Sequence, residues 1–378
     1  MADIRERTKE LIKSNLIVDS LSHGPLVWSD DLVAESEAMI AVGDNPWDVV
    51  QKLIFRWADR VADDDSYFAQ YQSAWKASGV DCVSWTIGPI HAQPYSMEGV
   101  VHNLAYMTHI LDHRPEFLTK ILTGNDIRKA RQDGRIGIIL NFQDLKPIGE
   151  NLDLIRQFYL FGVRIMQLTL NDQNPIGTGC TAAEDGGLTD FGHQVVQQLN
   201  ELGIVVDVSH CGSVTSRDAV KASTKPIMAT HTFAQAVSRH DRAKDDDLLR
   251  AIADNGGYLG LLALAGFLTT NPKTTISDWL DHLDYLVNLV GIEHVGIGTD
   301  FFGHSLPTAV AARMGEFMDA LGFRPDHKAS FIDKIVGFET YQNFPNLVEG
   351  MVSRGYGDED IARIMGGNFV RVFTEICG

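Results

Sequence analysis

The sequence predicts an α/β fold, a (β/α)8 TIM barrel, and three observations carry that reading. Eight short apolar runs alternate with helical segments, and the runs are nearly continuous rather than alternating, as strands covered on both faces of a parallel sheet must be. Several runs end on a residue able to do chemistry, and the C-terminal ends of barrel strands are where such residues gather. No internal repeat, low-complexity tract or linker interrupts the 378 residues. The chain is therefore read as one domain, residues 1–378, with C-terminal helices packed on the barrel.

Taken in order, LIVDSL (16–21) is the first strand, and its exit carries His23. NPWDVVQKLIFRWADRVADD and FAQYQSAWKASG read as helices before VDCVSWTIG (80–88), the second strand. A helical region spans Met97 to Leu118, and DIRKARQDG leads to RIGIILNF, the third strand, which delivers Gln143. ENLDLIRQFYLFG has apolar residues at helical spacing and stops at a glycine. VRIMQLTLN is the fourth strand, followed by a Gly-rich loop from Asn174 to Gly187 that exceeds an ordinary βα connection and so suggests function. GIVVDVSH and KPIMATH, the fifth and sixth strands, end at His210 and His231. DDLLRAIADNGG opens with acid and closes with glycine, as helix termini favour. YLGLLAL is the seventh strand and HVGIGTDF, delivering Asp300, the eighth; helices follow to the end.

The totals narrow the partners. A net charge of −18 makes nucleic-acid backbones and anionic membrane surfaces poor ligands. No apolar run reaches the roughly 18 residues of a bilayer span, and the charged opening MADIRERTKELIKSN lacks the apolar core of a secretory signal. Four dispersed cysteines without CxxC spacing read as reduced thiols, so a cytoplasmic protein is expected, with a homo-oligomer open.

The strand ends supply the candidates. His210 and His231, at the ends of consecutive strands, can sit side by side, and imidazole suits zinc and similar ions. Asp300 is placed either to take a proton from water beside a metal or to accept loop amides. Arg242, eleven residues past His231, offers a forked cation to a substrate carboxylate, or else pairs with Asp245 or Asp246 at the surface. His304, four residues past Asp300, is a further candidate.

These residues carry a resemblance. Asp19 in IVD, LDLIRQFYLFGVRIMQLT, LGIVVDVSH, the His231–Arg242 spacing, HVGIGTDF and the closing MGGNFVRVF together resemble the membrane (renal) dipeptidase family, peptidase family M19 of the amidohydrolase superfamily. The resemblance implies a two-zinc hydrolase of dipeptides, with His210 and His231 on one zinc, Asp300 as catalytic carboxylate and Arg242 gripping the substrate carboxylate. The chain departs from that pattern at three places. The HxD pair of the other zinc reads Leu21–Ser22–His23, the bridging glutamate is Gln143, and the histidine of the LTH motif is Leu170.

The expectation is accordingly a hydrolase of a small amide or dipeptide-like carboxylate using one zinc rather than two. His23 either completes a His23/His210/His231 set or bonds Gln143 or Asp300 in a metal-free pocket. Gln143 is expected to contact substrate. The alternative is a metal-free pocket for non-hydrolytic acid–base chemistry or small-molecule binding.

Overall fold

The computed structural model describes residues 2–87, 97–271, 273–301, 306–314, 321–324, 327 and 333–378. Among these residues nine strands form one parallel sheet: β1 (Val18–Asp19), β2 (Cys82–Thr86), β3 (Leu118–Lys120), β4 (Ile136–Phe142), β5 (Val163–Gln167), β6 (Val205–Asp207), β7 (Met228–Thr232), β8 (Tyr258–Leu261) and β9 (Val295–Ile297). Eight of them run in the order β1-β2-β4-β5-β6-β7-β8-β9, and β3 pairs only with β4. The ring closes by single contacts beyond the short first strand. Ser20 N–H donates to Ile297 O at 2.9 Å, Asp300 N–H to Leu21 O at 2.9 Å and His23 N–H to Phe301 O at 3.2 Å. The eight-stranded barrel read from the sequence is therefore present.

The extra strand corrects one reading. The helix expected to run from Met97 to Leu118 stops at His113. Pro115 disfavours helical geometry at Arg114, and the chain turns there into β3.

Between β1 and β2 the chain builds three helices, α1 to α3 of the insert: Asp30–Ala41, Pro46–Asp63 and Asp65–Ser78. In α2, Val50, Leu53, Ile54, Trp57, Ala58 and Val61 recur at helical spacing and are buried. Asn45 caps it by accepting Trp47 N–H. Trp57 stacks on Trp85 of β2 at 5.7 Å between ring centroids, and Trp85 meets the His23 ring edge-on at 5.3 Å. The insert thus holds the wall against which His23 lies. Truncating Trp57 to alanine would cost about 3–5 kcal/mol by the usual core penalty.

The strands approach one another closely inside the ring. A side chain at Gly298 would place its first carbon 1.9 Å from Thr230 O, and one at Gly260 2.0 Å from the same oxygen. Only glycine fits there. At the chain's end, α4 (Asn368–Cys377) buries Phe369, Val372, Phe373 and Ile376 in a cluster with Val18, Cys82, Ile165, Val205 and Met228 of the strands.

Candidate functional site

Two strand exits set the centre. β6 ends in Asp207, and Val208–Ser209–His210 turn out of it, while β7 carries His231 as its fourth residue. His210 and His231 are both buried, and their Nε2 atoms lie 2.9 Å apart. The other nitrogen of each ring is already engaged. His210 Nδ1 lies 2.6 Å from Asn171 Oδ1, and His231 Nδ1 lies 2.9 Å from Thr230 Oγ1.

A buried carboxylate stands behind His231. Asp207 Oδ1 accepts Ser209 N–H at 2.9 Å, the Ser209 hydroxyl at 2.5 Å and Thr230 N–H at 3.1 Å, while Oδ2 accepts the Thr230 hydroxyl at 2.5 Å. Burial pushes its pKa up and these four donors oppose the rise. Because the Thr230 proton goes to the carboxylate, Thr230 Oγ1 accepts from His231 Nδ1–H. Burial, with the Arg242 charge second, holds both imidazoles well below the usual histidine range. Both rings are therefore neutral, and with each Nδ1–H given to its acceptor the two Nε2 atoms face each other as acceptors.

Asp300 completes the group. One ligand atom each from His210, His231 and Asp300 lie mutually within 4.8 Å. Asp300 is the only described non-glycine residue with positive φ, at 55°. Aspartate tolerates that region better than most residues, and strained backbone of this kind collects at functional sites. Burial raises its pKa to about 7, against the lowering effect of Arg242. Its neighbour Thr299 is clamped by Asp19, whose Oδ1 accepts Thr299 N–H at 2.8 Å and whose Oδ2 accepts the Thr299 hydroxyl at 2.6 Å and the Tyr341 hydroxyl at 3.1 Å. Asp19, fully buried, is also pushed up to about 7 by desolvation.

The donor set suits a divalent ion. Facing acceptor lone pairs at 2.9 Å repel unless a cation or proton lies between them, and two imidazoles with one carboxylate are ordinary zinc donors. Among the described residues this is the one His/Cys/Asp/Glu group so arranged. His23 is not part of it. Burial drives its pKa down to about 3, so it too is neutral. Gln143, 4% exposed, brings its side-chain nitrogen 3.4 Å from His231 Nε2 and so borders the same space. His304 lies outside the described residues.

Arg242 is not the surface cation that one reading allowed. It is 1% exposed; NH2 donates to His231 O at 2.6 Å and NH1 donates to Ser209 O. Asp245 is taken by Arg217 at 2.6 Å and caps the helix Asp246–Asp254, while Asp246 accepts from Tyr285. Two of the five guanidinium donors are used on the backbone that carries the two imidazoles.

The match to known proteins decides the ancestry. The sequence pattern of the family described as "Membrane dipeptidase (Peptidase family M19)" covers residues 41–321 and 310–377. The chain belongs to the membrane dipeptidase family. It is 27% identical over 273 residues to a dipeptidase named aclJ from Aspergillus oryzae, across 71% of this chain and 58% of that protein. Among solved structures it is similar to an amidohydrolase from Pseudomonas aeruginosa, with TM-score 0.76 and 27% identity over 98% of this chain and 99% of that one. A probable dipeptidase, PvdM, from the same organism shares the fold, with TM-score 0.76 and 19% identity over 99% and 98% of the two chains.

In this member of the dipeptidase family, sequence reasoning missed the residues that hold the site. Asp207 and Thr230 stand in the quoted strands DVSH and ATH and were read there only as strand, and Asn171 is the last residue of the quoted VRIMQLTLN. Lys244 was also missed. It is 1% exposed, donates to Cys211 O at 2.7 Å, and is lowered by burial to about 8. Its place two residues after Arg242, in a run of charges, reads as solvated surface. Among the described residues no helix is long and apolar enough to cross a membrane.

Proposed function

We propose that the protein is a metal-dependent hydrolase of a small dipeptide-like amide with a free carboxylate, using one divalent ion, with zinc the best fit, held by His210, His231 and Asp300. The observation that carries this is the pair of facing Nε2 atoms 2.9 Å apart beside a carboxylate. When bound, such an ion supplies Lewis-acid polarisation of the scissile carbonyl and acidifies water. Asp300 accepts the proton of the attacking water and returns it to the leaving nitrogen. A cation beside it draws its pKa down from about 7 toward the ionised form that this role needs. Arg242 holds the Ser209 and His231 carbonyls, and its charge and remaining donors favour a substrate carboxylate. Gln143 supplies a neutral amide at the rim, where it orients substrate.

A metal-free reading has one specific support, since 2.9 Å is also the length of a hydrogen bond between the two rings. That reading needs Asp207 protonated, Thr230 reversed and the His231 proton on Nε2. Four donors converging on Asp207 argue for the ionised carboxylate and against it. Metal analysis of protein purified without chelator, followed by turnover of a panel of N-acyl amino acids and dipeptides, tests the proposal. Purified protein that neither carries nor takes up a divalent ion would sink it.

A further inference from the structure

Asn171 lies four residues past the end of β5 and is 2% exposed. Its Nδ2 donates to Leu321 O at 2.7 Å. A carbonyl can only accept, so this contact decides which way the amide faces and leaves Oδ1 toward the site. There Oδ1 meets His210 Nδ1 at 2.6 Å, and the Cys180 thiol donates to the same oxygen from 3.5 Å. An amide oxygen so placed demands a proton on Nδ1. From the other side, Cys180 N–H donates to His210 O at 2.8 Å, which fixes the backbone that carries the ring.

We propose that Asn171 is the positioning residue of His210, setting its tautomer and aim so that Nε2 is presented to the site as a bare lone pair. The proposal deepens the metal reading above and rests on it for its purpose, though not for its geometry. The two imidazoles are then served by different devices: His231 by a hydroxyl backed by the Asp207 carboxylate, His210 by a neutral amide alone. An amide polarises a ring less than a carboxylate does, so His210 is the less basic of the two donors. It is the one whose grip depends more on aim.

Selective ¹⁵N labelling of histidine, with long-range ¹H–¹⁵N correlation on the metal-free protein, reads the tautomer directly, and His210→Gln assigns the signal. The wild type is expected to show His210 protonated at Nδ1. Asn171→Asp keeps an acceptor and should keep that tautomer; Asn171→Leu removes it and should give a mixed or Nε2-protonated ring. Zinc affinity, measured by competition with a chromophoric chelator, should fall about 10–100-fold in Asn171→Leu, the usual cost of losing such a partner, and recover in Asn171→Asp. A wild-type His210 protonated at Nε2 overturns the proposal without any variant, as does Asn171→Leu with tautomer and zinc affinity unchanged. A protein that takes up no zinc yet shows the Asn171-dependent tautomer retires the metal reading and supports the role of Asn171.

Discussion

His210 and His231 meet Nε2 to Nε2 at 2.9 Å, each with its Nδ1 already given to an acceptor. Two neutral rings held so carry an electrostatic cost that a cation between them would remove, so the proposed ion should stabilise the fold. With free zinc at a hundredfold excess over Kd the gain is about 2.7 kcal/mol. Zinc is expected to raise the melting temperature of the wild type and to leave His210→Ala and His231→Ala unmoved. The ratio should not exceed one tightly held ion per chain, because neutral Gln143 is a poor bridge between two cations. Elemental analysis returning two firmly bound ions would overturn that count.

Asp300 sets stability against function. A carboxyl whose folded pKa, about 7, lies above its unfolded value of 3.8 binds more protons folded than unfolded, so it costs stability as pH rises from about 4 to about 7. Asp300→Asn removes the ionisation, and asparagine accepts the positive φ as readily as aspartate. The metal-free variant should therefore be more stable than wild type at pH 8, on the order of 1–2 kcal/mol after allowance for its partial exposure, and equal to it near pH 4. Hydrolysis should be lost. Denaturant titrations at the two pH values check it, and a variant weaker than wild type at pH 8 counts against the raised pKa.

Arg242 has a structural role besides the substrate role proposed for it. Removing its guanidinium leaves Ser209 O and His231 O without their buried donors, at about 1–3 kcal/mol for each orphaned group. Arg242→Met should thus lower stability and loosen zinc, while Arg242→Lys keeps the charge and loses the fork that spans two carbonyls. Urea midpoints and zinc affinity measured together test this. Unchanged values for both in Arg242→Met would return the residue to substrate binding alone.

What could be read in the sequence follows from how local each cause is. Strand ends announce themselves by apolar runs that stop on a polar residue, so His210, His231 and Asp300 were nameable, as was the barrel. Asn171 acts on His210 across 39 positions, and Asp19 on Thr299 across 280; no spacing rule connects such pairs. Burial of Arg242 and Lys244 within RHDRAKDDD was hidden by the charges around them, since a run of that kind normally lies in water. The stretch after His113 differs in kind, because Pro115 ends a helix that the apolar pattern alone would carry on to Leu118.

Gln143 offers the most direct test of the one-ion reading. Its side chain reaches within 3.4 Å of His231 Nε2, so a carboxylate there stands beside the proposed ion. Gln143→Glu should tighten zinc by about tenfold, the margin by which a charged acceptor exceeds a neutral one. In the metal-free protein the same change buries an unpaired carboxylate at 4% exposure, and should lower stability by about 1–3 kcal/mol at neutral pH. The opposite signs of the two effects separate a site built for a cation from a merely polar pocket. The variant alone should still hold one ion, because among the described residues His210, His231 and Asp300 are the one group of ligand side chains so arranged. Chelator competition gives the affinity and elemental analysis the count. Weaker zinc binding in Gln143→Glu would show that the ion does not lie between Gln143 and His231.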